Sequence, residues 1–502
     1  MEKRMIGLVE LPHVASSPGS VLSRLNILSG LTPGEAKILI TLGPGSFVLA
    51  STIGTINIGL PAIQDEFGVS LSALKWVSIM GAIMMASLSL CFGRIADNIG
   101  RKRVYKAGML IYAVFSGCAA AAVSFETLMA ARVITAAGVA MAIPLGVAIA
   151  ASSCRPEKRG QVIGLLASFS AAGQLAGPSL GGFALDIYGW RGIFLANLIV
   201  AGLCSLIQQF TLKGDDERRS EPFDFLGAVL LFLGYPALLI ALSLGPGKGW
   251  DAPLTLFWFG FAAVGMSAFL IWESRCKTPL FRFSLFRSLS FCVAMFTLVV
   301  ASFVQNPVTL FTPLYLQNVL SVEPVTVGLI MMALPLSTLV AGPVGGRLAD
   351  RYQPRSIAAI GMLITFLAIL AYSRLGVSSP ALYVILPLAL IGIGGGFFRP
   401  ANQVAVFARV NQREYGSLSA MLQSLGALAS TLGATITVAL NESHGPSDDA
   451  AGFASAQQST FTALLPLLLV AAIVSLIGRN PRAAVEAKET PLEAGREDAA
   501  VR

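Results

Sequence analysis

The stretch Gly93-Arg94-Ile95-Ala96-Asp97-Asn98-Ile99-Gly100-Arg101-Lys102-Arg103 is a charged hinge set between two long apolar runs. It returns, 253 residues later, as Gly346-Arg347-Leu348-Ala349-Asp350-Arg351-Tyr352-Gln353-Pro354-Arg355. The same charged words at matching places in two apolar halves mark an internal repeat. Reading outward, apolar runs succeed one another with centres near 48, 84, 114, 140, 171, 202, 234, 263, 300, 335, 365, 393, 428 and 468. Each is long enough for a helix of roughly 20 residues to cross the hydrocarbon core. Gly93 then falls between spans two and three, and Gly346 between spans ten and eleven. Spans one to six correspond to nine to fourteen, and seven and eight are an inserted pair.

Composition points to the same solvent. Of 502 residues, 55% are hydrophobic and 12% charged, and the mean hydropathy is +0.74. A soluble domain carries about 25% charged residues, so lipid, not water, is the medium this chain is built for. The net charge of +8 does not indicate nucleic acid, because the cations sit in short turns. Arg94, Arg101, Lys102, Arg103, Lys106, Arg155, Lys158, Arg159, Lys213, Arg218 and Arg219 fall in turns on one side, with Arg275, Lys277, Arg282, Arg287, Arg347, Arg351, Arg355, Arg409 and Arg413 further along. The opposite turns hold only Lys75, Arg191, Lys248 and Arg374. That asymmetry places both termini in the cytoplasm. Trp76, Trp190 and Trp250 fall at outer ends and are expected to be interfacial anchors.

The expected fold is an all-α integral membrane protein with fourteen transmembrane helices, two six-helix pseudo-symmetric bundles plus an inserted helix pair. Its divisions are a cytoplasmic tail over 1–36, a bundle over 37–213, the pair over 214–275, a bundle over 276–480 and a disordered tail over 481–502. Residues 1–36 lack an apolar core followed by a cleavage site. Cys91, Cys118, Cys154, Cys204, Cys276 and Cys292 have no metal or redox spacing and read as small packing residues. With only His13 and His444, zinc or His-assisted nucleophilic chemistry is not expected, nor is any metal or cofactor.

The residues resemble the major facilitator superfamily over about 40–440, and within it the fourteen-span drug:proton antiporter branch. The hinge at Gly93, Asp97, Gly100 and Arg101 matches the family's signature turn after span two. Gly164, Gly173, Gly177, Pro178, Gly181 and Gly182 match the span-five pattern of exporters and antiporters. Trp190-Arg191 with Ile193-Phe194 and Asn197 resembles the opening of span six. Pro313 to Gln317 resembles the end of span nine, and Gly392 to Pro400 resembles span twelve. Asn57 and Leu60-Pro61 match span one. Departures are Thr52 where the branch has Asp, Thr135 and Ala136 after Arg132 in span four, and Gly81 in place of a span-two tyrosine.

The resemblance implies alternating access, with Asp97 latched onto the helix start at Tyr415 to Ser417 and Asp350 onto the one near Gly160, both closing an inner gate. A carboxylate can accept from the free N–H groups of a helix start, aided by its dipole; a solvated loop charge is the bland reading. Arg132 and Arg399 are the formal charges placed inside apolar runs, one toward the outer half and one toward the cytoplasmic half. Intramembrane charge is a functional signal by default, against snorkelling or carbonyl pairing. The span-five glycines would let helices approach, and Pro178 would let that helix bend. Thr52, Thr55, Asn57, Gln174, Gln305, Asn306, Asn402 and Gln403, with Phe169, Phe303 and Phe398, are candidates for the substrate path, although each polar one could equally bond helix to helix.

All 27 Asp and Glu fall at span ends, loops or tails. Three mechanisms therefore stay open: proton exchange through Asp97, Asp350 or Asp186, charge exchange between substrate and arginine, and uncoupled transport. The function expected is export of small amphipathic compounds or drugs across the cell (inner or plasma) membrane by a monomer, with a proton gradient as the candidate driving force. The alternatives are an uncoupled facilitator or a carrier of anionic metabolites held by Arg132 and Arg399. A membrane enzyme would need an acid–base pair, metal cluster or nucleotide loop, and no such pattern appears.

Overall fold

The computed structural model describes residues 30–213, 223–276, 279–280, 283–443 and 450–476. Most of the expected tails, the 214–222 stretch with Arg218 and Arg219, and Lys277, Arg282 and His444 lie outside the described residues. The described chain is helical, with no strand. The helices are α1 (Pro33–Phe67), α2 (Leu71–Ile99), α3 (Arg101–Ala120), α4 (Phe125–Ser153), α5 (Arg159–Thr211), α6 (Phe225–Lys248) and α7 (Pro253–Arg275). They continue as α8 (Leu289–Leu314), α9 (Pro324–Met331), α10 (Ala333–Arg351), α11 (Pro354–Tyr372), α12 (Ile385–Phe407), α13 (Tyr415–Ser443) and α14 (Ala450–Leu476). Among the described residues, eleven helical stretches are long and apolar enough to cross a membrane.

Local sequence sets the ends. Thr32 caps α1: its hydroxyl accepts from Glu35 N at 3.3 Å, and Glu35 Oε2 accepts from Thr32 N at 2.8 Å. With Pro33 in the first turn, α1 begins inside the stretch read as a tail. Glu35 also takes two N–H groups of Arg155, each at 3.0 Å, fixing the start of α1 to the α4–α5 link. This pairing raises the Arg155 guanidinium above its ordinary pKa.

The charged hinge is a single residue. Gly100 sits at φ +113 between the last residue of α2 and the first of α3, a conformation that a side chain would strain. At the second hinge the turn is made by Gln353 and by Pro354 at the first helical position of α11. α5 runs through two of the expected spans with a bend at Tyr188 and at Gly189, φ +63. Pro335 cannot donate to Met331, and the helix breaks there into α9 and α10. Past Pro313, α8 ends in a π-turn over Tyr315–Val319, where Leu320 N donates to Tyr315 O at 3.2 Å.

Glycines decide how closely the rods pack. A Cβ on Gly177 would lie 2.7 Å from Ser51 O, and one on Gly181 2.8 Å from Thr55 Cα; one on Gly173 would collide with Phe47 O. The α5 glycines therefore press that helix onto α1, while Gly164 presses onto Gly342 of α10. A Cβ on Gly182 would meet open space, so this position does not set the α1–α5 approach. α6 and α7 cross at Gly234 and Gly265, where a Cβ would sit 2.8–2.9 Å from the other backbone. Asp224 caps α6 through Gly227 N at 2.9 Å and accepts from Trp272 Nε1 of α7 at 2.8 Å.

Trp190 corrects an expectation. It is 2% exposed, not an interfacial anchor. The bend at Gly189 turns the indole inward, where it packs on Phe67 and Phe194 and donates to Glu66 Oε2 at 2.6 Å. Trp250 is 40% exposed and lies against Gly245. Cys91, Cys154 and Cys204 are buried, and burial pushes the Cys154 thiol up to about 12.

Candidate functional site

Two carboxylates join the helices of 33–211 to those of 289–476. Asp97, at the end of α2, accepts from Gly416 N at 2.9 Å, Ser417 N at 2.8 Å and the Ser417 hydroxyl at 2.5 Å. Asp350, at the end of α10, accepts from Gly160 N and Gln161 N, each at 2.7 Å. The donors are the second and third residues of α13 and of α5, where backbone N–H groups have no partner within their own helix. Both carboxylates are buried, 6% and 8% exposed. A desolvated carboxylate is tolerated there because each oxygen receives a backbone N–H in the positive field of a helix start.

Glycine makes the approach possible. Gly93 lies against Gly416 and Gly346 against Gly160, so that a Cβ on any of them meets the opposite backbone. Arg101 Nε stands 3.8 Å from Asp97 Oδ1. The guanidinium groups of Arg101 and Arg159 lie 5.9 and 5.3 Å from the Tyr415 ring, so α3 and α5 converge on the start of α13. Gln412 Nε2 adds a bond to Ser152 O at 2.5 Å.

Beside the Asp97 contact, from Ser419 onward, lies a cavity of about 730 Å³. Asn306, Asn402 and Gln403, candidates for the substrate path, line it, and so does the intramembrane charge Arg399. A smaller cavity of about 240 Å³ is lined by Gln174 and Gln305 and shares Arg399, Gln403, Gln423, Ile143 and Val147 with the first. Arg399 therefore stands where the two meet. Its Nη2 donates to Gln305 Oε1 at 2.5 Å. Asn306 Nδ2 donates to Ser430 O at 3.1 Å, tying α8 to α13.

Other candidates point elsewhere. Thr52, Thr55, Asn57 and Phe398 line neither cavity. The Thr52 hydroxyl lies 2.5 Å from Tyr112 Oη and 3.0 Å from Val48 O. Thr55 returns its hydroxyl to Thr52 O at 2.9 Å within its own helix. Phe398 is 1% exposed and packs against Gly361 of α11. Arg132 is also off the cavity: it is 8% exposed, and its Nη2 donates to Val77 O at 3.5 Å, beside Gly81. The missing span-two tyrosine leaves the room that this guanidinium fills. Placing an arginine at such depth costs about 2.5–3.5 kcal/mol on insertion scales.

Sequence reasoning missed part of the lining. Ser419, Gln423, Ser430 and Thr431 of α13 and Leu239, Leu242 and Ser243 of α6 face the large cavity. Gln423 carried a signal, a polar amide in the middle of an apolar run. The α6 residues carried none, because an inserted helix gives no hint of which neighbour it will flank. α6 is held in place by the Tyr235 hydroxyl on Ser424 O at 2.5 Å and by the Thr435 hydroxyl on Leu242 O at 3.2 Å.

The geometry is that of a helical body whose cavity is lined from both sets of helices, the sets that Asp97 and Asp350 join. The family model described as Major Facilitator Superfamily matches residues 42–434 and 291–498. Multidrug resistance protein Stp of Mycobacterium tuberculosis (strain CDC 1551 / Oshkosh) is 30% identical over 400 residues, 79% of this chain and 74% of that protein. The Tetracenomycin C resistance and export protein of Streptomyces glaucescens is 27% identical over 368 residues, 73% of this chain and 68% of its own. Among solved structures, the proton:xylose symporter XylE bound to 6-bromo-6-deoxy-D-glucose superposes with TM-score 0.62 at 14% identity, covering 86% of this chain and 94% of that one. That likeness speaks for the fold alone. The chain belongs to the major facilitator superfamily and is a multi-pass membrane transporter.

Proposed function

We propose that this protein exports small amphipathic compounds, drugs among them, by alternating access across the cell (inner or plasma) membrane. The observation that carries the reading is a cavity of about 730 Å³ lined from two sets of helices that the mirrored contacts of Asp97 and Asp350 join. The names of the relatives, multidrug resistance and antibiotic export, favour efflux over uptake.

The reading includes fourteen spans in two related halves. Counting α5 twice about Gly189, and adding α2 and α3 to the apolar stretches, gives that number. α3 opens with Arg101, Lys102, Arg103 and Lys106, which shortens its apolar run. Paired contacts support the repeat. The Thr52 hydroxyl meets Tyr112 at 2.5 Å, and the Thr312 hydroxyl meets Tyr372 at 3.0 Å, each across a separation of 60 residues. Gly108 nests on Gly138 and Gly361 on Gly394; Gly173 abuts Phe47 O and Gly433 abuts Phe303 O. Bundles over 37–213 and 276–480, with the α6–α7 pair between them, follow from this pairing, as do gating roles for Gly93, Gly100, Arg101 and Gly346. Both termini on the cytoplasmic side follow from the cation-rich turns. The sealed end is then the inner one, and the conformation faces outward. A monomer suffices, since the cavity lies within one chain.

Reconstitution with an imposed pH gradient tests the driving force. Uphill movement of an amphipathic dye against its own gradient supports proton antiport, and purely downhill movement makes the protein an uncoupled facilitator. Among the described residues no carboxylate lines either cavity, so antiport would have to move its protons through Asp97, Asp350 or Asp186. Cells stripped of their own pumps that gain no resistance to, or efflux of, any amphipathic compound on expression would overturn the export reading.

A further inference from the structure

The two walls of the large cavity differ in chemistry. One, from α2, α4 and α6, presents Ile83, Met85, Ile143, Val147, Leu239 and Leu242. The other, from α8, α12 and α13, presents Asn306, Arg399, Asn402, Gln403, Ser419 and Gln423. Arg399 is the one charged residue that lines the cavity among the described residues. Its partner is neutral, the Gln305 amide oxygen at 2.5 Å, which takes one of a guanidinium's five N–H donors and none of its charge.

Two further donors on the same wall lack an acceptor. Asn402 is 3% exposed and its Nδ2 has no hydrogen-bond partner; Ser419 is 4% exposed and its hydroxyl has none. Asn402 follows Arg399 by three residues, so both stand on one face of α12. A buried donor left unpaired is costly, and a charged one more so. The wall thus carries positive charge and unpaired N–H and O–H groups, opposite a wall that is apolar apart from Ser243.

We propose that Arg399, with Asn402 and Ser419, forms an anion-binding subsite, and that the preferred substrates are amphipathic carboxylates whose apolar body lies on the α2–α4–α6 wall. This rests on the export reading and narrows it. The carboxylate accepts from the guanidinium, which matches its planar geometry, and from the two neutral donors. A cationic amphipath of the same shape meets like charge. Arg132 takes no part, because it is buried away from the cavity.

Three probes that share one apolar body test this: pyrenebutyrate, its neutral amide, and pyrenebutylamine. Binding to the purified full chain is read by pyrene fluorescence anisotropy, and export is read in cells lacking their own efflux pumps. The carboxylate should bind at least about tenfold more tightly than the amide or the amine. Arg399→Gln should bring it down to the level of the amide while leaving the amide unchanged, and Arg399→Lys should restore part of the difference. The wild-type comparison needs no variant to fold. Equal binding of the three heads, no binding of any, or uniform weakening in Arg399→Gln overturns the anion subsite. Export of the amide or amine without preference for the carboxylate also overturns it, yet leaves the export reading standing. Carboxylate binding through Arg399 without export of any probe keeps the subsite and removes the export reading.

Discussion

A carboxylate is the smallest part on which the proposed cycle turns. Asp97 holds three donors at 2.5–2.9 Å, two of them backbone N–H groups at the start of α13. In Asp97→Asn one oxygen becomes an NH₂ facing an N–H, which removes at least one bond and the negative charge. The loss of a buried charge-assisted bond is worth about 1.5–3 kcal/mol, so the sealed state should lose roughly tenfold or more in population. Transport rate should fall while expression and monodispersity stay unchanged; unchanged transport kinetics would show that the contact is structural only. The hinge itself was legible because glycine and carboxylate sit in eleven consecutive residues; the pairing of Asp97 with Tyr415 to Ser417 came only from the family resemblance that this motif carries. The fate of Thr52 was not: its hydroxyl lies against Tyr112, 60 residues on, and no local pattern announces that contact.

At the scale of elements, the α5 glycines have separable duties. Gly173 and Gly177 seat the backbone of α5 on α1, and Gly182 touches nothing. Gly177→Val should therefore force α1 and α5 apart, with about 1–3 kcal/mol of overpacking strain, and reduce efflux more than tenfold. Gly182→Ala, which meets open space, should leave efflux within about twofold of wild type. Equal damage from both would mean that the pattern acts through helix flexibility and not through close approach. Spans, charged hinges and glycine patterns could be read from the sequence because each is local and repeats. The cavity lining could be read only in part. Asn306, Asn402 and Gln403 were found because polar residues in apolar runs stand out. Phe398 was misplaced because helical phase depends on which neighbour a face meets, here Gly361 of α11. The inserted α6 entered the lining through Leu239 and Leu242, residues indistinguishable in sequence from lipid-facing ones.

Across the whole molecule, Asp97 and Asp350 each join the helices of 33–211 to those of 289–476, each on the second and third N–H of a helix, and in the proposed cycle both close the inner end. Two such locks on the proposed rigid-body motion would act on a single equilibrium between outward- and inward-facing states, each shifting it by its own differential bonding. Thr431 lines the cavity and gives a site for watching that equilibrium. On a cysteine-free background, Thr431→Cys should react readily with a membrane-impermeant thiol reagent added outside intact cells. Adding Asp97→Asn or Asp350→Asn should slow external labelling and speed labelling from the cytoplasmic face in everted vesicles. The two substitutions together should exceed either alone, because the two carboxylates lie on separate helices and accept from the starts of different helices. If only one carboxylate moves the labelling, the halves do not rock as equals, and the end sealed by the other is a fixed joint. If neither does, the cavity exchanges sides by some motion other than opening of the charged hinges.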